Sequence, residues 1–291
     1  MDTSEETGIK RVHTNFLKAG FYSFIIFTCL CVIVDIIIRW NMPLWSENED
    51  YSSSEYSWED CNVSWILIRG TLDTYASSLQ EDDGSISEDV TSSDDVLFAI
   101  ETAKEDENIK ALLIEIDSYG GSPVAAEEIA TALKDFGKPS YAHIRGAWAS
   151  AAYWVATGAD TIFASQNSDI GSIGATMSYL DYSQKNKNEG ISYQEITSGK
   201  YKDSGSPEKP LNEEEKALFQ RDINIIAQNF IEAVAKNRNL SIEEVQKIAD
   251  GSTMLGKAAL EKWLIDRLAV MNEVHHSIEN DIWEDIEICW N

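Results

Sequence analysis

The chain has 291 residues, 43% of them hydrophobic, and a formal net charge of -27. That length accommodates one enzyme-sized domain with an appendage, and the spread of apolar residues along it supports a packed core and not a disordered polymer. Nucleic acid is excluded as a partner, because phosphate binding needs clustered Lys and Arg and no basic patch is present.

Residues 1–18 carry Lys10, Arg11 and Lys18; from Ala19 to Val34 there is no charged residue, and the apolar run continues past Asp35 to Trp40. About 20 such residues match one helical crossing of a bilayer. After Arg39 no basic residue appears until Arg69, so the positive-inside rule places the N-terminus in the cytoplasm and the bulk of the chain outside. No small-x-small cleavage pattern follows the run, so residues 19–40 are expected to be an uncleaved single-pass anchor in the lipid bilayer. Residues 41–61 read as an acidic spacer, 62–272 as the folded domain, and 273–291 as an acidic C-terminal tail.

The folded part opens with a strand, Trp65 to Arg69, closed by Gly70. An acidic, Ser-rich loop, Gln80 to Asp95, leads into a helix at about Asp94 to Lys104, where Val96, Ile100 and Ala103 share a face. Ala111 to Ile116 is apolar enough for a buried strand. It ends in Asp117-Ser118-Tyr119-Gly120-Gly121-Ser122-Pro123, where Ser122 is a candidate N-cap and Pro123 opens a helix to about Phe136. A strand from Ser140 to Ile144 then turns into a helix near Ser150. Thr161 to Ala164 and Ile191 to Thr197 are expected as short strands. A long helix from about Asn212 to Lys236 carries Phe219, Ile223, Ile226, Phe230 and Val234 as one stripe, read as core or subunit interface. Strand and helix alternate, which gives an α/β class. Of four cysteines, Cys29 and Cys31 lie in the apolar run while Cys61 and Cys289 stand far apart. They are read as forming neither a metal site nor a disulfide framework, although an oxidising compartment would permit a Cys61–Cys289 bridge. No cofactor is expected.

A serine at a helix start has unpaired backbone N–H groups around it, which suits a nucleophile. Ser150 occupies such a position, with the Ala151 N–H as one candidate oxyanion donor and the Gly120-Gly121 turn, Gly121 in particular, as the source of the second. A small residue at an N-cap is ordinary by itself. The set is not. Asp117-Ser118-Tyr119-Gly120-Gly121-Ser122, Gly146-Ala147-Trp148-Ala149-Ser150-Ala151-Ala152-Tyr153, Gly171-Ser172-Ile173-Gly174, Ser198-Gly199-Lys200-Tyr201-Lys202-Asp203 with Ser206-Pro207, and Ala249-Asp250-Gly251-Ser252 through Ile265-Asp266 follow one another in order. Over about Ser64 to Ala269 this resembles the signal peptide peptidase A family.

The resemblance implies a ClpP/crotonase-type fold of repeated β-β-α units and a Ser/Lys dyad. Ser150 falls in the nucleophile position, Lys202 in the general-base position, and Ser172 where a hydroxyl helps hold the lysine. It also implies peptide substrates, signal peptide remnants among them, and a ring-shaped homo-oligomer in which neighbouring subunits can share a dyad. Two departures stand out: Tyr119 where many members have proline, and Ala151-Ala152 where many have Gly-Gly.

The residues themselves favour a lysine base. His13 precedes the apolar run, His275 and His276 follow the apparent core, and only His143 competes. Without the family spacing, Lys200 and Lys202 stand about even. A lysine base must release its proton, so its pKa must fall from about 10.4 towards 7 or 8, roughly 4 kcal/mol. Nearby carboxylates would oppose that, so Asp203 is expected to point away from Lys202. An acyl-CoA enzyme of the same fold lacks the basic cluster for CoA phosphates, and a catalytically silent scaffold of this fold is the remaining alternative.

Overall fold

The computed structural model describes residues 61–76 and 89–290. The expected anchor at 19–40 and most of the spacer lie outside them. Among the described residues no helix is long and apolar enough to cross a membrane.

The elements in chain order are β1 (Val63–Asp73), β2 (Val90–Ser92), α1 (Ser93–Glu105), β3 (Ala111–Gly121), α2 (Pro123–Lys134), β4 (Ser140–Ala149), α3 (Ala151–Thr157), β5 (Thr161–Ala164), β6 (Asp169–Gly171), α4 (Ser183–Asn188), α5 (Glu213–Arg238), α6 (Ile242–Gln246), β7 (Thr253–Leu255), α7 (Gly256–Glu261), β8 (Arg267–Leu268), α8 (Met271–Ile282) and β9 (Ile288–Trp290). The fold is mixed α/β around a mainly parallel sheet in the order β2-β1-β3-β4-β5-β8, with β6 also on β4, β9 also on β1, and β7 antiparallel on β6.

The central strands are apolar on both faces because both are covered. On one face Ile66 and Ile68 of β1, Leu112, Ile114 and Ile116 of β3, and Ala142 and Ile144 of β4 meet α1, α2, α3 and the C-terminal part of α5. On the other, Val63, Trp65, Ala111, Leu113 and Tyr141 meet Val274 and Ile278 of α8. The period-two alternation of these side chains fixes the register, since a one-residue slip would exchange the two sets. Local signals set the helix starts: Ser92 and Ser122 accept from Asp95 N–H and Ala125 N–H, and Asn212 forms a capping box with Glu215.

Four expectations change. β1 runs past Gly70 to Asp73 and β3 runs through Gly121, each with a register shift, because Ser118 bridges the two irregular stretches. Its hydroxyl donates to Gly70 O at 2.6 Å and accepts from Gly120 N–H at 3.0 Å. Ile191 to Thr197 is not a strand; it is exposed, and side-chain bonds such as Tyr193 to Asp203 take the place of a ladder. The segment from 273, expected as a tail, supplies most of α8 and then β9, which pairs with β1. The cysteine reading is also corrected: Cys61 and Cys289 form a disulfide, with Cα atoms 5.6 Å apart. A sequence separation of 228 hid the pair, and the β1–β9 pairing is what brings it together.

A crosslink over so long a loop constrains the unfolded chain strongly. Cys289→Ala is therefore expected to lower unfolding free energy by about 2–5 kcal/mol in urea denaturation. Dithiothreitol should produce the same loss in the wild type and none in the variant.

Candidate active site

β4 delivers Ser150 to the start of α3. Every residue of that helix is buried, because Ala151-Ala152-Tyr153-Trp154-Val155-Ala156-Thr157 lies within the main core, with Tyr153 Oη donating to Leu264 O at 2.9 Å. Ser150 itself has φ 61° and ψ -127°, a conformation L-residues rarely adopt, one that costs about 1–3 kcal/mol and persists only where the surroundings impose it. They do. Ser150 N–H donates to Gly171 O at 2.9 Å, and Ser150 O accepts from Tyr153 and Trp154 N–H at 3.0 and 3.2 Å. The serine makes no side-chain cap bond, so its hydroxyl is not committed to the helix.

Gly120 presses against this turn. A Cβ there would stand 2.8 Å from Ala149 O, 2.9 Å from Ala151 N and 3.1 Å from Ser150 Cβ. The space beside the Ala151 amide exists only because residue 120 has no side chain. Gly121 is bound as tightly on its other side, its Cβ position being 2.0 Å from Leu72 O.

Gly121, Ser150, Ala151 and Ser172 line one cavity of about 760 Å³. Four of the five residues predicted from sequence thus meet. Ser172 also has a positive φ, 51°, and donates its N–H to Ser252 O at 2.9 Å, which ties the Gly171-Ser172 turn to the Asp250-Gly251 segment on the cavity rim. The opposite wall is α5: Ile223, Ile226 and Phe230 face the cavity, and Phe230 stacks on Trp154 with ring centroids 5.0 Å apart and planes 7° from parallel. The sequence reading placed this stripe in core or interface; only Phe230 and Val234 of it are fully buried, and Ile223 and Ile226 line the cavity. The Asp250-Gly251 rim was not singled out, although it sat inside an ordered motif, and Gly120 was named only as part of the donor turn and not for its packing against Ser150.

Lys202 is not brought to this cavity. It lies exposed in the turn after Gly199, its N–H donating to Gly199 O at 3.0 Å. Lys200 is paired with Glu214 at 2.5 Å, and that hydrogen bond holds its pKa above the usual lysine value, the wrong direction for a base. His143 is buried in β4 and does not line the cavity; burial holds its pKa below the ordinary histidine value. Asp203 is engaged by Tyr193 Oη at 2.7 Å and Lys209 Nζ at 3.3 Å, and among the described residues no ion pair joins it to Lys202.

The profile of peptidase family S49 matches residues 132–284, more than half of the chain and spanning Ser150, Ser172 and Lys202. The chain belongs to peptidase family S49. Among the curated proteins it resembles, a Methanocaldococcus jannaschii protein bearing the name of a protease is 35% identical over 182 residues, 62% of this chain and 58% of that one. An Enterococcus faecium protein bearing the name signal peptide peptidase SppA is 31% identical, over 64% of this chain and 55% of that one. Protease 4 of Haemophilus influenzae is 29% identical, over 68% of this chain and 32% of that one. The chain therefore spans less than two thirds of each relative's length. A solved ClpP1 mutant from Listeria monocytogenes superposes with a TM-score of 0.48 at 14% identity, covering 72% of this chain and 92% of that one.

Gly120→Ala tests the packing at Ser150. The added methyl would stand 2.8 Å from Ala149 O and 2.9 Å from Ala151 N and so forces the Ser150 turn to shift, which should lower unfolding free energy by about 1–3 kcal/mol in urea denaturation. Circular dichroism should show the fold retained.

Proposed function

We propose that this S49 member is a membrane-anchored serine endopeptidase in which Ser150 is the nucleophile and Lys202 the general base. The observation that carries the reading is the constrained Ser150, its hydroxyl uncommitted, at the mouth of a cavity shared with Gly121, Ala151 and Ser172. Lys202 Nζ would take the Ser150 proton as Oγ attacks the scissile carbonyl, and the same proton would pass to the leaving amine. The developing oxyanion would be met by backbone N–H groups at Ala151 and Gly121. The apolar wall of Ile223, Ile226, Trp154 and Phe230 fits a small or medium apolar side chain next to the cleaved bond, as in signal peptide remnants and other membrane-derived or secreted peptides.

The lysine in this reading comes from the neighbouring subunit of a ring-shaped homo-oligomer. Two observations support that. Lys202 is exposed and lies outside the cavity of its own chain. The segment from 176 to 201 also exposes Met177, Leu180, Ile191, Ile196 and Tyr201, an unusual apolar display on so acidic a chain. The domain would stand outside the cytoplasm, where the Cys61–Cys289 disulfide is stable.

Casein or peptide hydrolysis by the full chain in detergent tests the assignment. Ser150→Ala and Lys202→Ala should each lose roughly 1,000-fold or more, and Lys200→Ala, which uncovers Glu214, should lose no more than about tenfold. Full activity in Ser150→Ala would remove the peptidase reading; full activity in Lys202→Ala would remove only the base. Co-assembly of Ser150→Ala with Lys202→Ala chains should restore roughly a quarter of wild-type activity if each site draws on two subunits. No recovery would put both groups in one chain.

A further inference from the structure

Two cations tie the turn carrying Lys202 to the start of α5: Lys200 pairs with Glu214 alone, whereas Lys209 gathers three carboxylates. Lys209 Nζ lies 2.6 Å from Glu195, 3.3 Å from Asp203 and 3.5 Å from Glu215. These three carboxylates belong to three different pieces of chain: the exposed stretch before the turn, the turn itself, and the first turn of α5. Glu215 is not a loose surface charge. Its side chain is 3% exposed, and it closes the α5 capping box by accepting Asn212 N–H at 3.1 Å while Asn212 accepts Glu215 N–H at 2.9 Å. Asp203 has a second anchor in Tyr193 Oη.

The geometry points to Lys209 as a positioning residue for the general base: it fastens the Lys202 turn to the start of α5 and occupies the Asp203 carboxylate that follows Lys202 in the chain. This rests on Lys202 being the base. The physical reason is electrostatic. A base lysine must be neutral, and an unpaired carboxylate nearby favours its ammonium form. The titratable groups around the turn are the neutral phenol Tyr193 with Glu195, Lys200, Asp203 and Lys209 from the loop, and Glu214 and Glu215 from α5, with Glu214 already paired to Lys200. Without Lys209, Glu195, Asp203 and Glu215 lose their shared cation together. The pairing is visible in the groups themselves: Lys209 is held well above the usual lysine value, by Glu195 first, and Asp203 below the usual carboxylate value, by Tyr193 first and then Lys209. The sign follows from charge alone: an uncovered carboxylate near an amine favours the ammonium form, so more alkaline solution is needed to free the base.

The test is the pH profile of kcat/KM for a peptide substrate, with the full chain in detergent. Lys209→Met should move the acid limb up by about one pH unit, roughly a tenfold loss at a pH on that limb, with the activity largely recovered at alkaline pH. Lys209→Arg should keep the wild-type limb. Asp203→Asn in the Lys209→Met background should bring the limb back towards the wild-type position, a rescue that a merely structural role for Lys209 would not give. Should Lys209→Met fail to fold, Tyr193→Phe removes the other anchor of Asp203 and should shift the limb in the same direction by a smaller amount. An unmoved limb in a folded Lys209→Met, or in Tyr193→Phe, overturns the inference while leaving Lys202 as base if Lys202→Ala is inactive. Wild-type activity in Lys202→Ala overturns the underlying reading, and this inference with it.

Discussion

The candidate site depends on holding the backbone at Ser150 in a positive-φ turn between β4 and α3. Three things impose it: the bond from Ser150 N–H to Gly171 O, the buried helix that begins at Ala151, and the bare Cα of Gly120 on the open side. The strain is supported by the core, since α3 is buried along its whole length and its Tyr153 and Trp154 are locked to Leu264 and Phe230.

From that turn the rest of the site follows. The irregular stretches in β1 and β3, bridged by Ser118, let the Gly120-Gly121 segment lie against Ser150 without disturbing the parallel ladder. The Gly171-Ser172 turn accepts from the Ser150 amide and is tied in turn to Ser252, so the cavity rim and Ser150 are parts of one hydrogen-bonded unit. α5 supplies the apolar wall. The proposed lysine base, in a chain of net charge -27, would require local shelter from carboxylates, and the grouping of Glu195, Asp203 and Glu215 around Lys209 gives a concrete means.

What could be read in the sequence was local. The alternation of apolar strands and helices, the Ser122-Pro123 helix start, the α5 cap at Asn212 and the position of Ser150 at a helix start each follow from short-range rules, and the structure has them. Ordered glycine and serine motifs brought Gly121, Ser150, Ala151 and Ser172 to one cavity. Long-range features were not legible. The disulfide joins residues 228 apart through the β1–β9 pairing, which involves only three residues of each strand. Ile223 and Ile226 carry the same helical spacing as core residues, and spacing alone does not distinguish a core face from a cavity wall. Ile191 to Thr197 has strand-like composition but no strand beside it, so tertiary context decided against propensity.

The most direct measurement is to react the full chain with a fluorophosphonate and locate the adduct by peptide mass spectrometry. The account predicts a single modified residue, Ser150, with labelling suppressed at neutral pH in Lys202→Ala and restored as the solution is made alkaline. An adduct on another serine, or undiminished labelling of Ser150→Ala, would contradict it.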